Sequence, residues 1–254
     1  MHNQSKNILR TANPALSNSV FQTRMSENEK MMTVSGTVNK SFFLIGLVFC
    51  TAILSWDFMI NADEYGKLYV FIAFALGGII GVVTYFKPGL APTTAPAYAL
   101  FEGVFLGGFS GLLNDLYPGL AIHAVLLTSG TFICLLLAYK SGLFTVTENF
   151  KLGIVAASGA ICLIYLITFF LNYFFNIQVP LIHGNGFIGI LFSLFVVGIA
   201  SLNLVLDFDF IEQGESRGAP KYMEWYASYG LLVTLIWLYF ENINMLLKMG
   251  WRKK

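Results

Sequence analysis

Charge is what this sequence has least of. Only 11% of its 254 residues are Asp, Glu, Lys or Arg, against 56% hydrophobic and 16% aromatic, and the mean hydropathy is +0.69. A soluble globular domain carries about a quarter of its residues charged, so that class is excluded. The 15 Lys and Arg nearly balance the 14 Asp and Glu and are scattered along the chain, which leaves no basic patch to hold a nucleic acid. Cysteine is scarce. Cys50, Cys134 and Cys162 fall inside apolar runs with no paired spacing, which predicts small buried hydrophobes and gives no redox compartment. HExxH, GxSxG, a Walker loop and any Cys/His cluster are absent, so neither an enzyme nor a cofactor is expected. His123, opening an apolar run, and His183, in a glycine-rich loop, each stand alone and read as surface or interface residues. The polar segment 1–40 lacks the continuous apolar core of a signal peptide and reads as a cytosolic tail, with room for an interfacial helix near 14–25.

What the sequence has is hydrocarbon in lengths of about 20 residues, the span of a transmembrane helix. Such stretches lie at 41–60, 68–86, 91–113, 119–139, 153–175, 186–210 and 225–247, which predicts an all-α polytopic membrane domain of seven helices over 41–254. Short links rich in Gly, Pro, Asn and Asp make sequence neighbours antiparallel neighbours in one bundle. With the N-terminus cytosolic, Lys40, Lys87, Lys140, Lys151, Arg217 and Lys221 collect inside, while Lys248 and Arg252 to Lys254 break the rule. Gly77, Gly78 and Gly81 in the second span, and Gly103, Gly107 and Gly111 in the third, predict close helix contacts, since small residues let backbones approach where lipid gives no drive to associate. Pro96 removes a hydrogen bond inside the third span, and Thr93 and Thr94 are placed to re-satisfy the freed backbone.

Carboxylates inside hydrocarbon are costly and mark functional candidates. Glu241 lies well inside the last span, on one face with Thr234, Trp237, Asn244 and Lys248, and its bland alternative is a neutral acid in a helix contact. Asp207, with Asn203 one turn before it, lies near the end of the sixth span, where the headgroup boundary would need no explanation. Asp209 is the alternative to it, and Asp57 reads as interfacial. Glu102 sits in the third span with Tyr98 four residues earlier, able to donate to it. The expectation is of buried acids with no buried base. Asp207 and Glu241 facing one another would share a proton and act as a pH sensor or weak Ca2+ site, with Glu102, Asn203 and Tyr98 along a cation path. Two acids can also activate water, but no Asp-Thr-Gly or Gly-Xaa-Gly-Asp pattern accompanies them.

The stretches Leu202-Asn203-Leu204-Val205-Leu206-Asp207-Phe208-Asp209-Phe210, Ala219-Pro220-Lys221-Tyr222-Met223-Glu224-Trp225 and Leu238-Tyr239-Phe240-Glu241-Asn242 resemble the C-terminal signature of the Bax-inhibitor (TMBIM) family. The likeness is greatest to its bacterial YccA-like branch and includes Asn13-Pro14-Ala15-Leu16 and Phe101-Glu102-Gly103. It implies a last helix wrapped by the other six, and a pH-sensitive Ca2+ leak gated by an acid pair between helices six and seven. By motif that pair falls on Asp207, or Asp209 by a two-residue shift, with Glu241. Glu stands where many relatives have Asp, and the link after Gly214 looks longer than in animal members. The resemblance also implies a bacterial inner membrane and, as a second function, modulation of a membrane-bound AAA protease through the polar tail. A proton-coupled transporter would show inverted repeats, and none is visible.

Overall fold

The computed structural model describes residues 31–60, 64–143, 146–177 and 186–250. The expected helix near 14–25, the loop with His183, the side chain of Asp57 and the basic end 252–254 lie outside the described residues. Seven helices are long and apolar enough to cross a membrane: α1 (Val34–Ile60), α2 (Glu64–Phe86), α3 (Ala91–Leu116), α4 (Leu120–Lys140), α5 (Glu148–Phe175), α6 (Phe187–Ser216) and α7 (Met223–Lys248). No β-strand is formed among the described residues. The chain is therefore an all-α polytopic membrane protein. Helices are the expected solution, because a backbone in hydrocarbon must satisfy its own hydrogen bonds.

The helices outrun the hydrophobic stretches at the ends. α1 begins at Val34, inside the segment expected to be tail, and α6 continues to Ser216. The second extension matters most. It shortens the α6–α7 link, which turns at Gly218 in the left-handed region (φ 65°), and it moves Asp207 away from the helix end. Ala219 N–H returns to Gly214 O at 3.0 Å and so closes the last turn of α6.

α7 is the axis of the bundle. It packs directly against α1, α3, α4 and α6. Side chains extend its reach to the remaining two, through Tyr229 Oη to Gly81 O of α2 (3.0 Å) and Glu241 to Tyr165 of α5. Met223, Tyr226, Ala227, Leu231, Leu232 and Leu238 are all at most 4% exposed, whereas Phe71, Leu126, Phe169 and Ile188 face outward, where the bilayer receives them. All three cysteines are on that outward surface, which corrects the expectation of burial. The reason is the solvent: hydrocarbon outside the bundle accepts a thiol as readily as its interior does.

The glycine reading holds where helices cross. A Cβ on Gly103 would come 2.6 Å from Val48 O, and one on Gly107 2.6 Å from Ala52 Cα, so α1 and α3 meet backbone to backbone. Gly77 and Gly81 face Glu102 and Tyr98, while Gly78 has open space. The threonines behave differently from expectation. Thr93 and Thr94 both donate to Leu90 O (2.9 and 3.0 Å), because a helical hydroxyl reaches only three or four residues back, and the carbonyl freed by Pro96 is that of Pro92. Substituting Gly103→Ala is expected to destabilise the bundle by about 1–3 kcal/mol, as overpacking against backbone does, and Gly78→Ala to be neutral. Thermal unfolding of both variants in one detergent checks this.

Candidate functional site

Glu241 is 2% exposed and belongs to α7 at the level where α5 crosses it. Tyr165 Oη donates to both carboxylate oxygens (3.1 and 2.9 Å), and Trp237 Nε1 donates to Oε1 at 3.0 Å. The indole is one helical turn earlier, so it was on the face the sequence indicated. Lys248 stands two turns later, with its Nζ on Ser193 Oγ (2.8 Å) and Gly189 O (3.3 Å) of α6, close enough for its charge to act on Glu241.

Asp207 is fully buried within the bundle, at 0% exposure. Asp207 is nine residues from the end of α6, and Glu241 is eighteen residues from the start of α7. At about 1.5 Å of rise per residue, the antiparallel helices place Glu241 roughly 13 Å deeper. The two carboxylates are thus set at different depths along the α6–α7 contact, where the sequence reading has them facing one another. Among the described residues, no three His, Cys, Asp or Glu converge as a metal cage.

The expectation that no base would be buried is also corrected. Lys151, in the first turn of α5, is 3% exposed and makes ion pairs with Asp209 Oδ2 at 2.8 Å and Glu148 Oε1 at 3.3 Å. Gln213 Nε2 adds a bond to Asp209 Oδ2 at 2.5 Å, and Tyr139 Oη of α4 donates to Glu212 Oε2 at 2.6 Å. This cluster ties the last turns of α6 to α4 and α5, and Asp207 lies below it. Asn203 spends its amide on Ser158 Oγ of α5 (2.9 Å) and Ile199 O (2.8 Å).

Glu102 is 7% exposed but lies on the α2 side of α7, its carboxylate against Gly77. It forms no ion pair with the described residues. Tyr98 does not donate to it. The Tyr98 ring meets Tyr229 edge to face instead, at 5.0 Å between centroids, so the tyrosine serves the α3–α7 contact. Glu102 and Tyr98 are thus separate from the α5–α6–α7 seam that holds Asp209, Asp207 and Glu241.

A fourth buried acid was not singled out by sequence reasoning. Glu224, 0% exposed at the start of α7, accepts from Thr33 N and Oγ1 (both 2.9 Å) and from Lys221 Nζ (2.6 Å), and pairs with Lys40. Glu215 accepts from Val34 N at 3.0 Å. Two carboxylates from the α6–α7 turn therefore cap the start of α1 from outside it. Gly36 leaves the room this needs, since a Cβ there would fall on the Glu224 carboxylate. Lys221 three residues before Glu224 was the available signal. For Glu241 it was Tyr165, a hydroxyl within an otherwise apolar run.

Removing the Tyr165 hydroxyl by Tyr165→Phe is expected to cost about 2 kcal/mol, the scale of a hydrogen bond to a carboxylate. Lys151→Met is expected to cost about 3 kcal/mol by leaving Asp209 without its cation, and adding Asp209→Asn should recover part of that. A double-mutant cycle of unfolding in detergent measures both.

A family model described as Bax inhibitor 1 like matches residues 13–250. No curated protein and no solved structure matches the chain.

Proposed function

Because the chain belongs to the Bax inhibitor 1 like family, we propose that it is a pH-sensitive cation leak, with Ca2+ as the expected cargo. The observation that carries this reading is the seam of α5, α6 and α7, where Asp209, Asp207 and Glu241 follow one another from one end of the bundle toward the other. Acids spaced along a path attract a cation without trapping it, since each offers few oxygens compared with the six to eight of a tight Ca2+ site. Protons compete for the same carboxylates, which makes such a leak sensitive to pH. In the closed arrangement Lys151 holds Asp209, and Tyr165 with Trp237 holds Glu241. Opening requires α6 to leave α5, so the Lys151–Asp209 pair is the latch and the two deeper acids are the way through. Lys40, Lys151, Arg217 and Lys221 gather at the latch end, which favours a cytosolic position for it in a bacterial inner membrane.

A second reading, modulation of a membrane-bound protease, has one observation in its favour. Met32 N donates to Ala219 O at 2.7 Å, and Met31 bridges Pro220, so the end of the tail is fixed to the α6–α7 turn. Whatever binds the tail would pull on that turn.

The test is Ca2+ flux into dye-loaded proteoliposomes across a pH series. Glu241→Gln and Asp207→Asn are each expected to shift or abolish the pH dependence. With the two acids at different depths, the double variant is expected to show the sum of the single effects. Deleting residues 1–30 should leave the flux intact. Folded protein that gives no flux above empty liposomes at any pH would overturn the leak and leave the protease reading standing.

A further inference from the structure

We propose that the groove between α1 and α4 is a binding site for a single acyl chain of a bilayer lipid, seated directly against α7. The two helices pack against α3 and α7 rather than against each other, and the space between them has a volume of about 660 Å3. That is within the range of about 300–1,000 Å3 typical of sites for small organic ligands. Its rim is formed by Phe42, Phe49, Ile53 and Ile133, which are 46–66% exposed and belong to the surface that already meets the bilayer. Its floor is Leu106, Leu232 and Ile236, all at most 8% exposed. The groove is thus a continuation of the lipid-facing surface into the core.

The chemistry of the lining selects hydrocarbon. No charged residue lines it. The hydroxyls at its floor are already used by the protein. Ser110 Oγ and Tyr239 Oη bond to each other at 2.7 Å, and Ser110 Oγ also donates to Leu106 O at 2.5 Å. Thr128 Oγ1 donates to Ala124 O at 2.8 Å and accepts from Asn242 Nδ2 at 3.0 Å. A polar ligand or a file of water would find little to bond, and an alkyl chain would lose nothing. Length agrees as well. The α1 wall runs from Phe42 to Trp56, which at helical rise is about 20 Å. Half of the roughly 30 Å hydrocarbon core would be covered by one acyl chain, so a chain from either leaflet can lie along this wall. Trp56 marks the end near the membrane boundary, where indole is favoured. The seated chain would touch α7 on the side away from α5, so this site is independent of the acidic seam and of the leak reading.

The experiment uses the full chain in phosphatidylcholine nanodiscs containing a trace of the same lipid with a diazirine in mid-chain. After photolysis, adducts are mapped by peptide mass spectrometry. Adducts are expected on Leu232, Ile236 or Leu106 as well as on outward residues such as Phe71 and Leu126. Filling the mouth from α4 with Ser129→Leu or Val125→Trp is expected to abolish the floor adducts and leave those on Phe71 unchanged. The unmodified protein alone suffices to refute the site. If its floor residues carry no more adduct than Leu204, which is fully buried at 0% exposure, the proposal is overturned.

Discussion

The structure depends on one constraint: the central helix of a bundle in hydrocarbon carries carboxylates, and water cannot answer them. α7 holds Glu224 near one end and Glu241 well toward the other, both at most 2% exposed. Each is answered by a different helix. Lys40 of α1 and Thr33 just before it reach the first, and Tyr165 of α5 reaches the second. Peripheral helices are thereby positioned by polar contacts with the axis as well as by packing, in a medium where packing alone has no hydrophobic drive. The sixth helix repeats the pattern with Asp209, which Lys151 answers.

This gives the acids distinct roles by their partners. Glu224 has two lysines and a threonine and is a structural tie between α1 and α7. Asp209 has one lysine, on a helix that otherwise contacts the bundle mainly through α6, so its bond is among those that a movement of α5 would break, with Tyr165–Glu241 and Ser158–Asn203. Glu241 has neutral donors within bonding distance and a lysine further off. Burying a carboxylate with neutral donors leaves its charge only partly balanced.

The fold was legible in the sequence because it rests on segment length and composition, which hydropathy reports directly. The centrality of the last helix was legible in part, through the polar stripe around Glu241. The pairing of acids was not. Sequence shows which residues are out of place in hydrocarbon, but two antiparallel helices can be set in many registers, and here the continuation of α6 to Ser216 sets Asp207 and Glu241 at different depths. Lys151 was hidden for a related reason. It read as a loop cation, yet α5 begins at Glu148 and carries it into the protein. Helix ends decide whether a charge is in water or in the core, and they are the least visible features of an apolar sequence.

The tie between Thr33 and Glu224 spans 191 residues. α1 is made first and its closing partner almost last, so throughout synthesis Lys40 and the bare amides of Thr33 and Val34 remain at the membrane surface without the carboxylates that complete them. Insertion of the seventh helix is then what shuts the ring, and the bundle cannot be finished piece by piece from its beginning. A chain halted before α7 lacks both its axis and the Glu224 carboxylate that ties Thr33 and Lys40.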